Sequence, residues 1–501
     1  MSTKRTKIIG LAFLILFLGI VLSFSFSEGI SGNDFWWHIK SGQWIINNKT
    51  VPSHDIFSWV GKKYAIEWIP HEWLSEVIFY LIFSLFGELG MYVFSLSMSI
   101  IMLALIGLEI KDYIFKNYVI SSLYLVLLSV IISLFFYGRP QIFSYFLLFL
   151  LLKILYKFYN NTSSKCIYIV PIIACLWSNL HAGSAPLVYV LCAIFLGVSL
   201  INMKIGRLYS NRIQLKAIFR LSIITVLSVL AIMINPIGIK ALIYPFVNMS
   251  NEIQMSIISE WASPDAKNIG NILLYYFPIL ITNIGLVICK KNLKLIDLII
   301  ALFFIFLFLR STRFIILWYI AVAFYGFDYM PSCKIKTITH RTEYVALAIC
   351  FIVLLCAYIY PFKSINSIIK SQNIITKSVS DKMIKIIKEN KPQKLFNDYN
   401  TGEMLIYNDI EVFFDSRADL YSAKSIFNDG ASLLYLRRVD SDNCFDIDKM
   451  LNKYKFDSFL VEKERPLYSY LANNKKYKLI YTDKNTGYFI TKNQTIDSKI
   501  R

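Results

Sequence analysis

A polytopic α-helical membrane protein with a folded extracytoplasmic tail is the class this sequence predicts, on three observations. Its 501 residues are 56% hydrophobic and only 17% charged, too little charge to cover a soluble protein of that length. Apolar runs long enough to cross a bilayer recur through residues 1–362. From 363 to 501 the composition turns to Lys, Asn, Asp and Ser with only short apolar runs. The formal net charge of +19 does not argue for nucleic acid, because much of it lies in short tethers between apolar runs, where it sets topology.

Candidate spans lie near residues 8–25, 90–110, 117–136, 141–158, 166–181, 185–202, 217–235, 271–289, 294–310, 313–330 and 342–362. The first follows "MSTKRTK" and resembles a signal peptide. Its apolar run is long and no clean small-residue cleavage site follows, so it reads as an uncleaved span. The stretch "WLSEVIFYLIFSLFG" at 73–87 is too short, since a span needs about 17–25 residues. If it lies in the interface, the N-terminal Lys4, Arg5 and Lys7 fall inside. So do the connectors carrying Lys111 and Lys116, Lys153 to Lys165, Lys204 to Arg220, Lys290 to Lys294, and Lys334 to Arg341. If it spans, every later connector inverts and the positive-inside pattern fails. The expectation is therefore eleven spans, an N-terminus inside, a C-terminus outside, a first external loop at 26–89 and an interfacial helix at 73–87.

This topology puts His38, His54, His71 and His181 outside, together with Arg139, Asn179, Asn235, Glu260, Asp265, Arg310 and Arg313. The inside connectors are short and basic, so chemistry is expected on the outer face. The first external loop opens with "SGNDFWWHIKSGQWI" and closes on "WIPHEW". If 34–45 is helical, Asp34, Trp37 and His38 share a face by their i, i+3, i+4 spacing. A carboxyl in a dry, aromatic-walled site has a raised pKa and can act as general base, alone or paired with His38. His71 and Glu72, at the start of the interfacial helix, are the next candidates. The tryptophans fit either of two roles, anchoring the loop at the interface or stacking on a sugar.

The eight cysteines show no CxxC and no Cys/His ligand spacing, so neither a disulfide framework nor a zinc site is supported. In the tail, "KLFNDY", "EVFFDSR", "DSFLVEK", "KYKLIYTD" and "TGYFITKN" read as strands, with helices at "SVSDKMIKIIKEN", "FDIDKMLNKYK" and "PLYSYLAN" between them. That alternation predicts an α/β domain. No GxGxxG or P-loop pattern supports nucleotide binding.

A long first external loop holding an acid, followed by an interfacial helix, resembles the C-type superfamily of integral-membrane glycosyltransferases (GT-C). The strings "DFWWHIKSGQWI…VPSHDIFSW…WIPHEWLSEVIFY", "GRPQIFSYFLL", "LWSNLHAG", "INPIG", "SEWASPD" and "FNDYNTGEMLIY…VFFDSRADLY" look like a bacterial branch of it. The resemblance implies transfer of a sugar from a polyprenyl-phosphate carrier to a cell-envelope glycan, lipid or protein on the outer face of the plasma membrane. Asp34 matches the first-loop catalytic acid, which would deprotonate or orient the acceptor hydroxyl. Arg139, Arg310 and Arg313, at external span ends, would hold the leaving phosphate; snorkelling to headgroups is their bland role. Asn179 and His181 would bind sugar hydroxyls or cap their helix, and Glu260 is a further candidate for substrate binding. Metal-dependent members carry a DxD pair in an external loop; none stands between the spans here, so no metal site is assigned. Asp446 and Asp448 in "FDIDK" have the spacing, but on a polar helix of the tail.

Three rivals stand beside this reading. A transporter or flippase of lipid-linked glycans would need polar span interiors or an inverted repeat. A polymerase would carry its large catalytic loop later in the chain. A non-catalytic envelope scaffold would need none of these residues for turnover.

Overall fold

The structure is a computed structural model, described over residues 34–116, 118–136, 138–249, 261–330, 377–422, 425–439 and 445–492. These residues form two compact units. One holds 86–249 and 261–330; the other joins the first loop, 34–85, to the tail, 377–492. The composition break near 362 thus does not separate loop from tail, which fold as one body. The expected spans at 8–25 and 342–362, with Glu260, lie outside the described residues.

The loop begins with α1 (Phe35–Asn48), whose face of Phe35, Trp36, Ile39 and Ile45 is buried. Gly42 sits inside this helix, where glycine costs about 1 kcal/mol relative to alanine. A Cβ there would lie 2.7 Å from Tyr80 Cβ and closer still to the Glu76 carbonyl. Gly42→Ala is accordingly expected to destabilise this unit by about 1–3 kcal/mol, read as a lower midpoint of thermal unfolding. After the short α2 (Trp59–Tyr64), α3 (Trp73–Glu109) is interrupted at Gly87, where φ is 61° and ψ −153°. Only glycine adopts that backbone cheaply. The boundary between the two units, Leu85 to Phe86, falls just before this break.

The second unit is a helix bundle: α4 (Tyr118–Phe135), α5 (Gln141–Asn160), α6 (Val170–His181), α7 (Leu187–Leu200), α8 (Leu215–Ile232), α9 (Lys240–Met249), α10 (Phe277–Ile288), α11 (Leu295–Arg310) and α12 (Ile315–Tyr329). A helix occupies each candidate span within the described residues. Among them, five helical stretches are long and apolar enough to cross a membrane. The bundle core is aromatic, with Trp177, Trp318, Tyr319 and Tyr325 fully buried. On α8 the opposite face shows Leu215, Phe219, Val226 and Leu230, each more than half exposed, while Ser222, Thr225 and Ser228 turn their hydroxyls back to the i−4 carbonyls. A stripe of large exposed apolar residues with internally satisfied hydroxyls suits contact with hydrocarbon. One basic connector forms a hairpin, β1 (Met203–Ile205) and β2 (Leu208–Ser210), with β3 (Leu293–Lys294) added parallel to β2.

The tail contains α13 (Asp381–Asn390), β4 (Leu395–Asn397), α14 (Gly402–Tyr407), α15 (Ile426–Tyr435), α16 (Ile447–Tyr454), β5 (Ser458–Glu462), α17 (Pro466–Asn473), β6 (Tyr477–Thr482) and β7 (Thr486–Thr491). The sheet runs β4-β5-β7-β6, parallel at β4/β5 and antiparallel elsewhere. "EVFFDSR" is not the expected strand: it makes only one parallel bridge, Val412 to Ser58 of the loop. Its backbone is instead satisfied by Asn397, whose side chain accepts from Phe413 N and donates to the Phe414 carbonyl. Loop and tail interlock around that bridge, with Trp59 Nε1 donating to the Leu395 carbonyl at 3.0 Å and its ring packed on Phe413 and Phe456.

Candidate active site

Asp34 occupies the N-cap position of α1, half-buried. It does not cap the helix with its side chain; the Trp36 amide in the first turn is taken by Glu403 Oε2, from the tail, at 3.1 Å. A carboxylate is favoured there because the first-turn N–H groups carry partial positive charge. Glu403 thereby does work usually given to the N-cap side chain, and the Asp34 carboxylate faces the Trp37 indole, Nε1 to Oδ1 3.4 Å. The same indole N–H lies 3.0 Å from Ser416 Oγ, so the position of Asp34 depends on both loop and tail.

His38 is buried one turn on, with Nε2 3.7 Å from Glu72 Oε2 and Nδ1 3.5 Å from Glu76 Oε1. Trp37 lies over its ring at 3.8 Å. The half-buried His71 places Nε2 3.6 Å from Glu72 Oε1. Glu76–His38–Glu72–His71 is thus an unbroken row of titratable groups running from the core toward the surface. Three of the four catalytic candidates, His38, His71 and Glu72, share this row, and Asp34 adjoins it through Trp37. Glu76 was not singled out by the sequence. Burial pushes its carboxyl up to about 8, against the opposing charge of Arg417 and the Ser41 hydroxyl.

That shift has a stability consequence. The unfolded carboxyl titrates near 4.5, so between about 4.5 and 8 the native state holds a proton that the unfolded chain has released. The contribution is full below 4.5 and falls away as pH rises toward 8. Glu76→Gln is expected to flatten the melting temperature of this unit over that window. Parallel slopes in the two proteins would contradict the assignment.

Behind this row lies Arg417, fully buried. Its Nε and Nη2 donate to Asp415 at 2.8 and 2.7 Å, and Nη1 sits 3.1 Å from Asp55 of the loop. Tyr421 also donates to Asp415. Trp68, Phe57 and Trp37 surround the guanidinium, the nearest ring centroid at 4.7 Å. Burial opposes its charge, but Asp415 and Asp55 outweigh it and hold the pKa well above the ordinary value. This corrects the expectation for the tryptophans: Trp36, Trp37, Trp59 and Trp68 are core side chains packed around buried polar groups, not a surface for stacking on sugar.

The remaining candidates lie in the bundle. Arg139 is half-buried just before α5, Arg310 is exposed at the end of α11, and Arg313 lies over Trp261 at 5.6 Å. The "RSTR" turn is tied to "WASPD" by Thr312 N and Oγ1, both donating to the Ala262 carbonyl. Asn179 donates to the carbonyls of Cys175 and Ile234, both at 2.8 Å, and so pins the "INPIG" turn. His181 Nδ1 lies 2.7 Å from Ser144 Oγ and 2.6 Å from Ser184 Oγ, beneath Trp177. These contacts give both residues a structural task at the helix ends. Among the described residues no group of three or more His, Cys, Asp or Glu is arranged to hold a metal ion, and the Asp446 carboxylate accepts from Lys449 N as the cap of α16.

No family model and no curated protein matches this sequence. Solved structures do match. The apo oligosaccharyltransferase of Archaeoglobus fulgidus is 12% identical, with a TM-score of 0.52 over 90% of this chain and 69% of that one. The oligosaccharyltransferase AglB of Archaeoglobus fulgidus, in complex with an inhibitory peptide and a dolichol-phosphate, is 11% identical, with a TM-score of 0.54 over 91% and 69%. The mycobacterial arabinofuranosyltransferase AftD is 10% identical, with a TM-score of 0.43 over 98% and 40%. The chain thus shares its fold with the two archaeal oligosaccharyltransferase structures, and its described residues include five helical stretches long and apolar enough to cross a membrane.

Proposed function

We propose that the protein is a membrane glycosyltransferase moving a sugar from a polyprenyl-phosphate carrier to a cell-envelope acceptor on the outer face of a bacterial plasma membrane. The observation that carries this reading is the setting of Asp34, at the head of α1 with its helix capped by Glu403 and its carboxylate against Trp37, on a fold otherwise seen in membrane glycosyltransferases. Asp34 takes the proton of the acceptor hydroxyl as its oxygen bonds to the anomeric carbon. The carbon–oxygen bond to the lipid phosphate breaks, and the phosphate leaves with the electron pair. Arg139, Arg310 and Arg313 are the cations assigned to that phosphate, since guanidinium binds it bidentately. Eleven spans with the first loop and tail outside complete the reading, on the strength of the basic connectors.

The test is label transfer. Purified full-length protein is incubated with radiolabelled polyprenyl-phosphate hexoses and pentoses and an envelope-polymer extract. Transfer of label into the polymer is expected from one donor. Folded protein that transfers from none would sink the reading in favour of a flippase or a scaffold, and a lipid-flipping assay would separate those two.

A further inference from the structure

At the end of the bundle that carries the basic connectors, a cavity of about 310 Å³ opens between the ends of α3, α5, α11 and α12. It lies wholly within the helix-bundle unit, and the glycosyl-transfer reading makes no use of it. Its charged lining is balanced. Lys153 is paired with Glu109 at 3.0 Å. That leaves Lys157 and Lys294 as cations facing Asp297 and Asp328 as anions. Lys294 reaches Asn160 Oδ1 at 3.3 Å on the same rim.

Asp297 is the unusual member. It is buried in the first turn of α11, within an expected span. Tyr156 and Tyr329 donate to its two oxygens at 3.0 and 2.6 Å. Each carboxylate oxygen keeps a second lone-pair direction, and the N-terminus of α11 favours the charge. The wall beside it is aromatic: Tyr156 and Phe324 stack at 5.8 Å with planes 8° apart. Outside the lining, Leu108 precedes Glu109 in the chain and is 64% exposed.

A simple anion would meet Asp297 and Asp328 as well as the lysines, and a simple cation the reverse. A ligand carrying both a phosphate and a primary ammonium satisfies both sets. We propose that this cavity binds the head group of an amine phospholipid, the phosphate on Lys157 and Lys294 and the ammonium on Asp297 and Asp328, with the acyl chains leaving past Phe324 and Leu108. The lipid is favoured over soluble phosphoethanolamine because the charged rim adjoins the Tyr156–Phe324 aromatic wall and the exposed Leu108 of α3, surfaces that suit acyl chains. Three N–H donors on the ammonium separate it from choline, which has none.

Native mass spectrometry of the purified full-length protein, offered equimolar phosphatidylethanolamine, phosphatidylcholine and phosphatidylglycerol, tests the assignment. Phosphatidylethanolamine should be retained about tenfold over each of the others, the size of one charge-assisted hydrogen bond. That preference should vanish in Lys157→Ala and in Asp328→Asn. Both positions are exposed, so both variants should melt as the parent does. Equal retention of phosphatidylglycerol would reduce the site to a basic patch and overturn the proposal. So would an unchanged adduct in both variants, or its displacement by soluble phosphoethanolamine at equal concentration.

Discussion

Asp34→Asn is expected to lower sugar transfer by about 10²–10⁴-fold, the usual worth of a positioned general base, with no change in expression or melting temperature. Asparagine keeps the shape of the side chain and can still accept from Trp37 Nε1, but it does not take a proton at working pH. Folding is expected to survive because the α1 amide that an N-cap acid would hold is held by Glu403. An ordinary N-cap loss costs about 1 kcal/mol, and here that term is absent. Turnover with the labelled carrier and a thermal melt on the same preparation decide the matter. Equal turnover in both proteins would move the base to His71 or Glu72, and a fallen melting point would make Asp34 a structural residue.

Arg417→Met is expected to destabilise the loop–tail unit by about 3–5 kcal/mol, as breaking a buried ion pair by removing one partner does. The volume and the apolar contacts with Trp68 and Phe57 are largely retained in this variant. What is lost is the cation between Asp415 and Asp55, and two carboxylates are left in a dry site. The companion variant Arg417→Met/Asp55→Asn/Asp415→Asn removes all three charges and should recover part of the loss, since an uncharged replacement of a buried network is often tolerated. Denaturant unfolding of the full-length protein, followed by tryptophan fluorescence, reads this directly because Trp37 and Trp68 flank the guanidinium. A single variant as stable as the parent would mean that the network contributes nothing net.

How much of the site was legible follows from distance along the chain. Asp34, Trp37 and His38 are read together because helical spacing brings i, i+3 and i+4 to one face, and the Trp37–Asp34 contact follows. Glu403 and Arg417 were not legible as partners of the loop. They lie more than 350 residues from α1, and no local pattern states that a tail acid will cap a helix near the start of the chain. Glu76 was hidden differently. It sits in an apolar run, where one acid looks like the polar face of an interfacial helix, and only the buried His38 beside it reveals its setting. Asp297 is hidden for the same reason, as a single charge at the edge of a long apolar run.

Two local signals were ambiguous, each for its own physical reason. Tryptophan favours bilayer interfaces and well-packed cores alike, because its ring is large and its N–H needs one partner; composition cannot separate the two. "EVFFDSR" has strand-like residues, yet Asn397 and the Gly402 backbone reach it first: a Cβ on Gly402 would sit 2.7 Å from Asp415 Cβ. That close approach leaves no room for a neighbouring strand.

By itself the sequence determined where the helices of the bundle lie and that the chain enters a membrane. Hydrocarbon imposes its demand over each run of 17–25 residues separately, so the signal is local and additive. Only the tertiary structure decided that the first loop and the tail are one body, and which acids within it are buried, paired or capping. Those outcomes turn on the desolvation of a few charges by residues hundreds of positions away, and desolvation depends on the finished packing, which no short window of sequence contains.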